Sequence, residues 1–217
     1  MEALTTSSAY LWFDTEYSTL NVSEARLLQV ALVITDVHLN RITPASEDLN
    51  LFIQLPEEAK VSPWVMETMP DLVVACRSRA AVSIEEADRR LAELVARYVV
   101  VPLGDDKKKP ILAGNSIHAD WYLARKYLPK FSGSTHYRHL DVTTLKLQWQ
   151  DWLGGETFEK DDPEMIKAYC PGFNSETLNR VHDAYYDVQA SIAELNYYRR
   201  NLFKPRAVVT PPAVDGE

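Results

Sequence analysis

The stretch Tyr10-Leu11-Trp12-Phe13-Asp14-Thr15-Glu16 limits what this chain can fold into more than any other. A run of aromatic and apolar residues reads as a strand, and it ends in a pair of acids. Side chains alternate across a strand, so Asp14 and Glu16 share one face. Neighbouring carboxylates repel unless a cation or shared protons offset the charge. A hard divalent cation held by oxygen ligands supplies that offset, so this strand end is expected to form half of a metal site. An isolated D-x-E also fits a solvated strand terminus, and the rest of the chain has to decide between the two.

Around that strand the pattern is of one α/β domain on a mixed sheet. Residues 1–8 read as a loose leader, 9–203 as a single domain and 204–217, with three prolines, as a disordered tail. Strands are expected at 9–16, 26–36 and 49–55, linked as a meander. In the stretch 56–81, Pro63 and Pro70 interrupt any long helix. Ser83-Ile84-Glu85-Glu86 has the form of a capping box and opens an amphipathic helix over 83–100. Gly104 to Lys109 is a polar loop whose lysines are more simply solvated than phosphate-binding. A short strand at 110–113 leads through Gly114 into a helix at 119–128. An extended piece at 138–141 precedes helical spacing at 142–153. Residues 154–177 read as a surface excursion, and a last helix spans 183–203. Strands first, then strands alternating with helices, place this chain among α/β folds.

Composition excludes several classes of function. The 217 residues carry a net charge of −8, which disfavours holding long nucleic acid by phosphate neutralisation alone. A short anionic ligand remains compatible if metals and local basic groups do the work. Cys76 and Cys170 are too few for a zinc site of their own and are expected to be buried, reduced thiols in a cytoplasmic protein. No apolar run is long enough to cross a membrane, and the start lacks the pattern of a secretory signal.

Other reactive groups fall where an α/β sheet binds its ligands. Asp120 lies at the start of the helix that follows the 110–114 segment, with Asn115 and Ser116 at the strand's carboxyl end. Alone it would be a helix-start acid favoured by the dipole. His182 and Asp187 are five residues apart, about 140° of helical rotation, so both cannot project from one helical face. The pair works together if Asp183 is the N-cap, His182 lies on the loop before it and Asp187 points inward one turn later. A mobile imidazole beside a fixed carboxylate suits a general base next to a metal ligand. Four carboxylates and a histidine are what two-metal phosphodiester hydrolysis requires.

The sequence resembles the oligoribonuclease branch of the DEDDh, DnaQ-like 3′→5′ exonucleases over about residues 9–203. The segments that carry the resemblance are Leu11–Glu16, Gly114-Asn115-Ser116-Ile117-His118-Ala119-Asp120, His136–Lys146 (HYRHLDVTTLK) and His182 through Asp187 to Arg199. The resemblance implies an RNase H-like fold, with a mixed central sheet flanked by helices. It implies hydrolysis of short oligoribonucleotides, down to dinucleotides, by a homodimer with two Mg²⁺ or Mn²⁺ ions. By that likeness Asp14, Glu16, Asp120 and Asp187 are the metal-binding acids and His182 the general base. Leu20 and Trp64 stack on the bases, and Ser116 and Thr143 lie near the substrate. His136, Tyr137 and Arg138 form the segment that one subunit brings to the other's site. Stacking and a phosphate cap would let an acidic protein hold a two-base RNA. The chain departs from the family at three places: Thr19 replaces a glycine, Gln29 a glutamate and Met69 a histidine. An exonuclease preferring short DNA and a non-catalytic RNase H-fold binding module are the alternatives.

Overall fold

A computed structural model describes residues 9–174 and 182–203. At its centre lies β1 (Ala9–Tyr17), flanked by antiparallel β2 (Leu27–Asp36) and parallel β4 (Ile111–Gly114). The edges are β3 (Leu49–Phe52), antiparallel to β2, and β5 (His139–Asp141), parallel to β4, so the order is β3-β2-β1-β4-β5. The sheet is mixed, as the pattern of elements implies.

The two faces of β1 do different work. Leu11 and Phe13 join Leu32, Ile34 and Leu112 in one cluster, covered by the helix at Ile84–Tyr98. Trp12 on the opposite face packs with Ala31, Val33 and Ala113 beneath the last helix. The even-numbered face that carries Trp12 therefore continues into Asp14 and Glu16. A central strand covered on both sides has to be apolar almost without interruption, which explains the run Tyr10–Phe13.

The helices are α1 (Pro63–Thr68), α2 (Pro70–Cys76), α3 (Ile84–Tyr98), α4 (His118–Tyr127), α5 (Pro129–Gly133), α6 (Val142–Leu147), α7 (Pro163–Tyr169) and α8 (Ala184–Leu202). Pro63 and Pro70 keep this stretch from forming one long helix, as expected, and each begins a short one, because a first-turn residue needs no amide proton. Ser83 caps α3 by accepting from the Glu86 amide. The Glu86 carboxylate turns instead to Arg89 and Arg90, so only half of a capping box forms. The lysines after Gly104 pair with acids of their own loop, Lys108 with Asp105 and Lys109 with Asp106. Both cysteines are free and buried.

The expectation for 154–177 needs correction. Phe158, Ile166 and Cys170 are buried in the core under α8, and α7 occupies the middle of the segment. The helix expected over 142–153 changes character after Leu147, continuing as a wider π turn over Gln148–Leu153. No helix among the described residues is long and apolar enough to cross a membrane. The leader, the tail and residues 175–181 lie outside the described residues.

Candidate active site

Three elements meet at the carboxyl end of β1. The strand delivers Asp14 and Glu16, α4 delivers Asp120 from its first turn, and α8 delivers Asp187 from its first turn. All four acids line one cleft of about 710 Å³. One carboxylate oxygen each from Asp14, Glu16 and Asp187 lies within 4.8 Å of the others. Asp120 is held somewhat apart: its Oδ1 accepts from the Thr15 amide at 2.9 Å and the Thr15 hydroxyl at 2.6 Å.

Close packing of β4 on β1 makes this meeting possible. A Cβ on Gly114 would sit 3.0 Å from the Phe13 carbonyl oxygen and 3.1 Å from the Ile117 side chain. Any side chain there would push β4 and α4 away from the acids. Ser116 follows in left-handed backbone (φ 48°), its amide donating to Asp141 Oδ1 at 3.0 Å and Thr143 Oγ1 at 2.9 Å. That turn aims α4 and Asp120 back towards β1.

The start of α8 follows the geometry expected from the sequence. Asp183 is the N-cap, its Oδ1 accepting from the amides of Tyr185 and Tyr186. His182 precedes it with φ 64°, off the helix. Gln29, directly across from Glu16 in the register of β2, holds this cap in place. Its Nε2 donates to Asp183 Oδ2 at 3.1 Å and to Asn50 Oδ1 at 2.7 Å, and its Oε1 accepts from the Ala184 amide at 3.3 Å. A glutamate at this buried position would face the Asp183 carboxylate with no proton to donate. The amide is therefore the physical counterpart of an acidic N-cap.

Burial, first, raises the pKa values of the acids. The Asp14 carboxyl is raised well above its ordinary range by burial and then by Asp120, Asp187 and Glu16 around it. Glu16 is raised to about 8 by burial and then by Asp187 and Asp120. Burial also lifts Asp120 to about 7, against the opposing bonds from Thr15. Asp187 is raised by burial and opposed by the ammonium of Lys160. Such a cluster favours a cation that would replace those protons.

Leu20, 82% exposed, and Trp64, 50% exposed, line the same cleft together with Thr19, Met69 and Ser116. His182 does not line this cleft; it lines a neighbouring pocket with Gln29, Met69 and Asp183, its ring edge-on to Trp64 at 5.5 Å between centroids. Thr143 reaches the cleft through Ser116, with the two hydroxyls 3.3 Å apart. The His136-Tyr137-Arg138 segment is not in this cleft. His136 is buried and accepts from the Arg138 amide, while Tyr137, 75% exposed, stacks on His136 at 4.5 Å with Arg138 over its other face.

Lys160 is the cleft residue that sequence reasoning missed. Its Nζ lies 3.2 Å from Asp187 Oδ1. Nothing in Glu159-Lys160-Asp161-Asp162 separates it from a solvated charge run, and its side chain stays 47% exposed beside the buried Phe158.

Known proteins share the sequence pattern and the fold. A family model described as "Exonuclease" (RNase_T) matches residues 11–195. The chain is similar to an oligoribonuclease of Francisella tularensis subsp. tularensis (strain WY96-3418), with 32% identity over 88% of this chain and 94% of that protein. It is also similar to a probable oligoribonuclease of Schizosaccharomyces pombe, with 28% identity over 87% of this chain and 66% of that one. Among solved structures, exonuclease I of Methylocaldum szegediense aligns with TM-score 0.61 and 20% identity, over 90% of this chain and 41% of that one. The zinc-bound complex of E. coli exonuclease I with single-stranded DNA aligns with TM-score 0.64 and 16% identity, over 90% and 41%. The chain thus spans about two fifths of those exonuclease I chains, and this likeness bears on the fold. By the family match and a 32%-identical relative aligned along nearly its whole length, the chain belongs to the exonuclease family, on its oligoribonuclease branch.

Proposed function

We propose that this protein is a divalent-metal-dependent 3′→5′ exoribonuclease that shortens oligoribonucleotides of a few residues to 5′-mononucleotides. The observation that carries the reading is the convergence of Asp14, Glu16, Asp120 and Asp187 on one cleft whose mouth is lined by Leu20 and Trp64. Residues 9–203 act as one exonuclease domain.

The donor set suits Mg²⁺ or Mn²⁺. These hard ions take oxygen ligands, and the oxygens of Asp14, Glu16 and Asp187 are spaced closely enough to share one. The Lys160 ammonium already stands beside Asp187 as a cation would. Asp120, through the oxygen not held by Thr15, completes the set for a second ion. Bound there, the ions would supply an acidified water and charge stabilisation at the leaving oxygen.

The remaining chemistry falls to the chain's own groups. His182, on the loop before α8 and free of the helix, takes the proton from the attacking water. Leu20 and Trp64 clasp the terminal bases, whose stacking is tolerant of sequence. The Ser116 and Thr143 hydroxyls meet the sugar or phosphate, where a 2′-hydroxyl distinguishes RNA from DNA. A cleft of about 710 Å³ suits a ligand of dinucleotide size. The exposed Tyr137 and Arg138, backed by the buried His136, serve the cleft of a second copy, which makes the working form a homodimer.

The test is hydrolysis of a labelled RNA ladder from dinucleotide to heptanucleotide, against matched DNA, with Mn²⁺ and then with chelator. Chelator-sensitive release of mononucleotides, fastest on the shortest RNA, is the expected result. No metal-dependent release from any length overturns the reading. Faster turnover of the DNA ladder moves the substrate class to DNA.

A further inference from the structure

The loop between the π turn and α7 is built to place one positive charge among the acids. Phe158 is buried against Tyr169 and Tyr197, with ring centroids 6.4 and 5.6 Å away. Upstream, the Glu156 carbonyl accepts from Trp149 Nε1 at 2.6 Å and from the Tyr197 hydroxyl at 3.0 Å. Downstream, the Lys160 carbonyl accepts from the Tyr186 hydroxyl at 2.8 Å, and Asp162 caps α7. The backbone on both sides of Lys160 is therefore fixed before its side chain is considered. From that base the ammonium reaches Asp187 Oδ1 at 3.2 Å and lines the cleft beside Asp14 and Glu16.

We propose that Lys160 is a resident counter-ion of the acidic cluster, and that a divalent ion entering the cleft takes Asp187 away from it. The inference rests on the metal reading above. Asp187 Oδ1 cannot offer the same lone-pair direction to an ammonium and to a metal, so the two cations compete. Lys160 thereby lowers metal affinity while holding the metal-free cluster together. An exonuclease of this kind loads fully only when divalent ions are plentiful.

The experiment measures free Mn²⁺ by electron paramagnetic resonance during titration of the full chain, with thermal unfolding in parallel. Lys160→Met keeps the stem and removes the charge; Lys160→Arg keeps the charge; Lys160→Gln is the second neutral variant should the Met variant not fold. The neutral variants are expected to bind Mn²⁺ about threefold to tenfold more tightly, the scale of a partly buried ion pair, with Lys160→Arg close to wild type. Without metal they melt about 2–4 °C lower, and at saturating Mn²⁺ the gap narrows. Unchanged or weaker Mn²⁺ binding by the neutral variants overturns the proposal while leaving the metal reading intact. Absence of Mn²⁺ binding by the wild type removes both.

Discussion

Replacing Gln29 by glutamate tests how the first turn of α8 is held. The position is buried, and the amide makes three contacts, to Asp183, Asn50 and the Ala184 amide. Glutamate keeps the acceptor towards Ala184 but loses both donated bonds. The bond to the Asp183 carboxylate is charge-assisted, worth about 1.5–3 kcal/mol, and the bond to Asn50 about 1 kcal/mol. Ionised, the new side chain also sets a second carboxylate beside Asp183 Oδ2, where the amide nitrogen now stands at 3.1 Å. The sum is about 3–5 kcal/mol at neutral pH, the range seen when a buried charge is left unpaired. Protonation relieves part of it, because a neutral carboxyl donates one bond to Asp183. The folded-state pKa of the introduced carboxyl is thus raised above the unfolded value of about 4.3. Its penalty is small below that value and grows as pH rises through the folded pKa. Denaturant unfolding of wild type and Gln29→Glu at acid and at mildly alkaline pH measures both numbers. Adding Asp183→Asn, which keeps an N-cap acceptor but removes the facing charge, should recover about half of the alkaline loss. A Gln29→Glu variant within about 0.5 kcal/mol of wild type at alkaline pH, or one penalised more in acid, would refute the reasoning.

The other expected outcomes concern the cleft. Asp14→Ala and Asp187→Ala should each abolish metal-dependent hydrolysis of a labelled dinucleotide, while metal-free denaturant unfolding shows the fold largely intact. His182→Ala should lower kcat by about 10²-fold or more, the scale for a positioned base, and a wild-type rate would remove it from that role. In the metal-free protein Glu16 is raised to about 8 and Asp120 to about 7, so between the ordinary carboxylate range and those values the native state holds more protons than the unfolded one. Its melting temperature should therefore fall as pH rises through that window, and saturating Mn²⁺ should flatten the slope. Phe158→Ala should cost about 3–5 kcal/mol of stability in denaturant unfolding, as a large buried aromatic does.

The acidic end of β1 could be read from the sequence because its information is local. Strand parity puts Asp14 and Glu16 on one face whatever packs there, and N-cap chemistry at Asp183 separates His182 from Asp187 whatever follows. Strands first and alternation later give a mixed sheet that starts as a meander, while the place of β4 and β5 beside β1 is set by packing. Pro63 and Pro70 were legible as breaks in any long helix; that each also begins a short one depends on its neighbours, as where Ser62 supplies a cap by accepting from Val65. Lys160 was invisible for a different reason. Its direction depends on Phe158 finding a slot between Tyr169 and Tyr197, a long-range packing event with no periodic signature. Gln29 was legible only as a departure from the family; its meaning needed the Asp183 carboxylate across from it.

The placement of α8 has a consequence for biosynthesis. The helix roofs the Trp12 face of the sheet and also brings Asp187 to the cleft. A polypeptide emerging from the ribosome therefore carries Asp14, Glu16 and Asp120 long before the fourth acid of the cleft has been made. Ribosome-bound intermediates interrupted before Ala184 would expose the apolar face around Trp12 and be clients for chaperones or proteases.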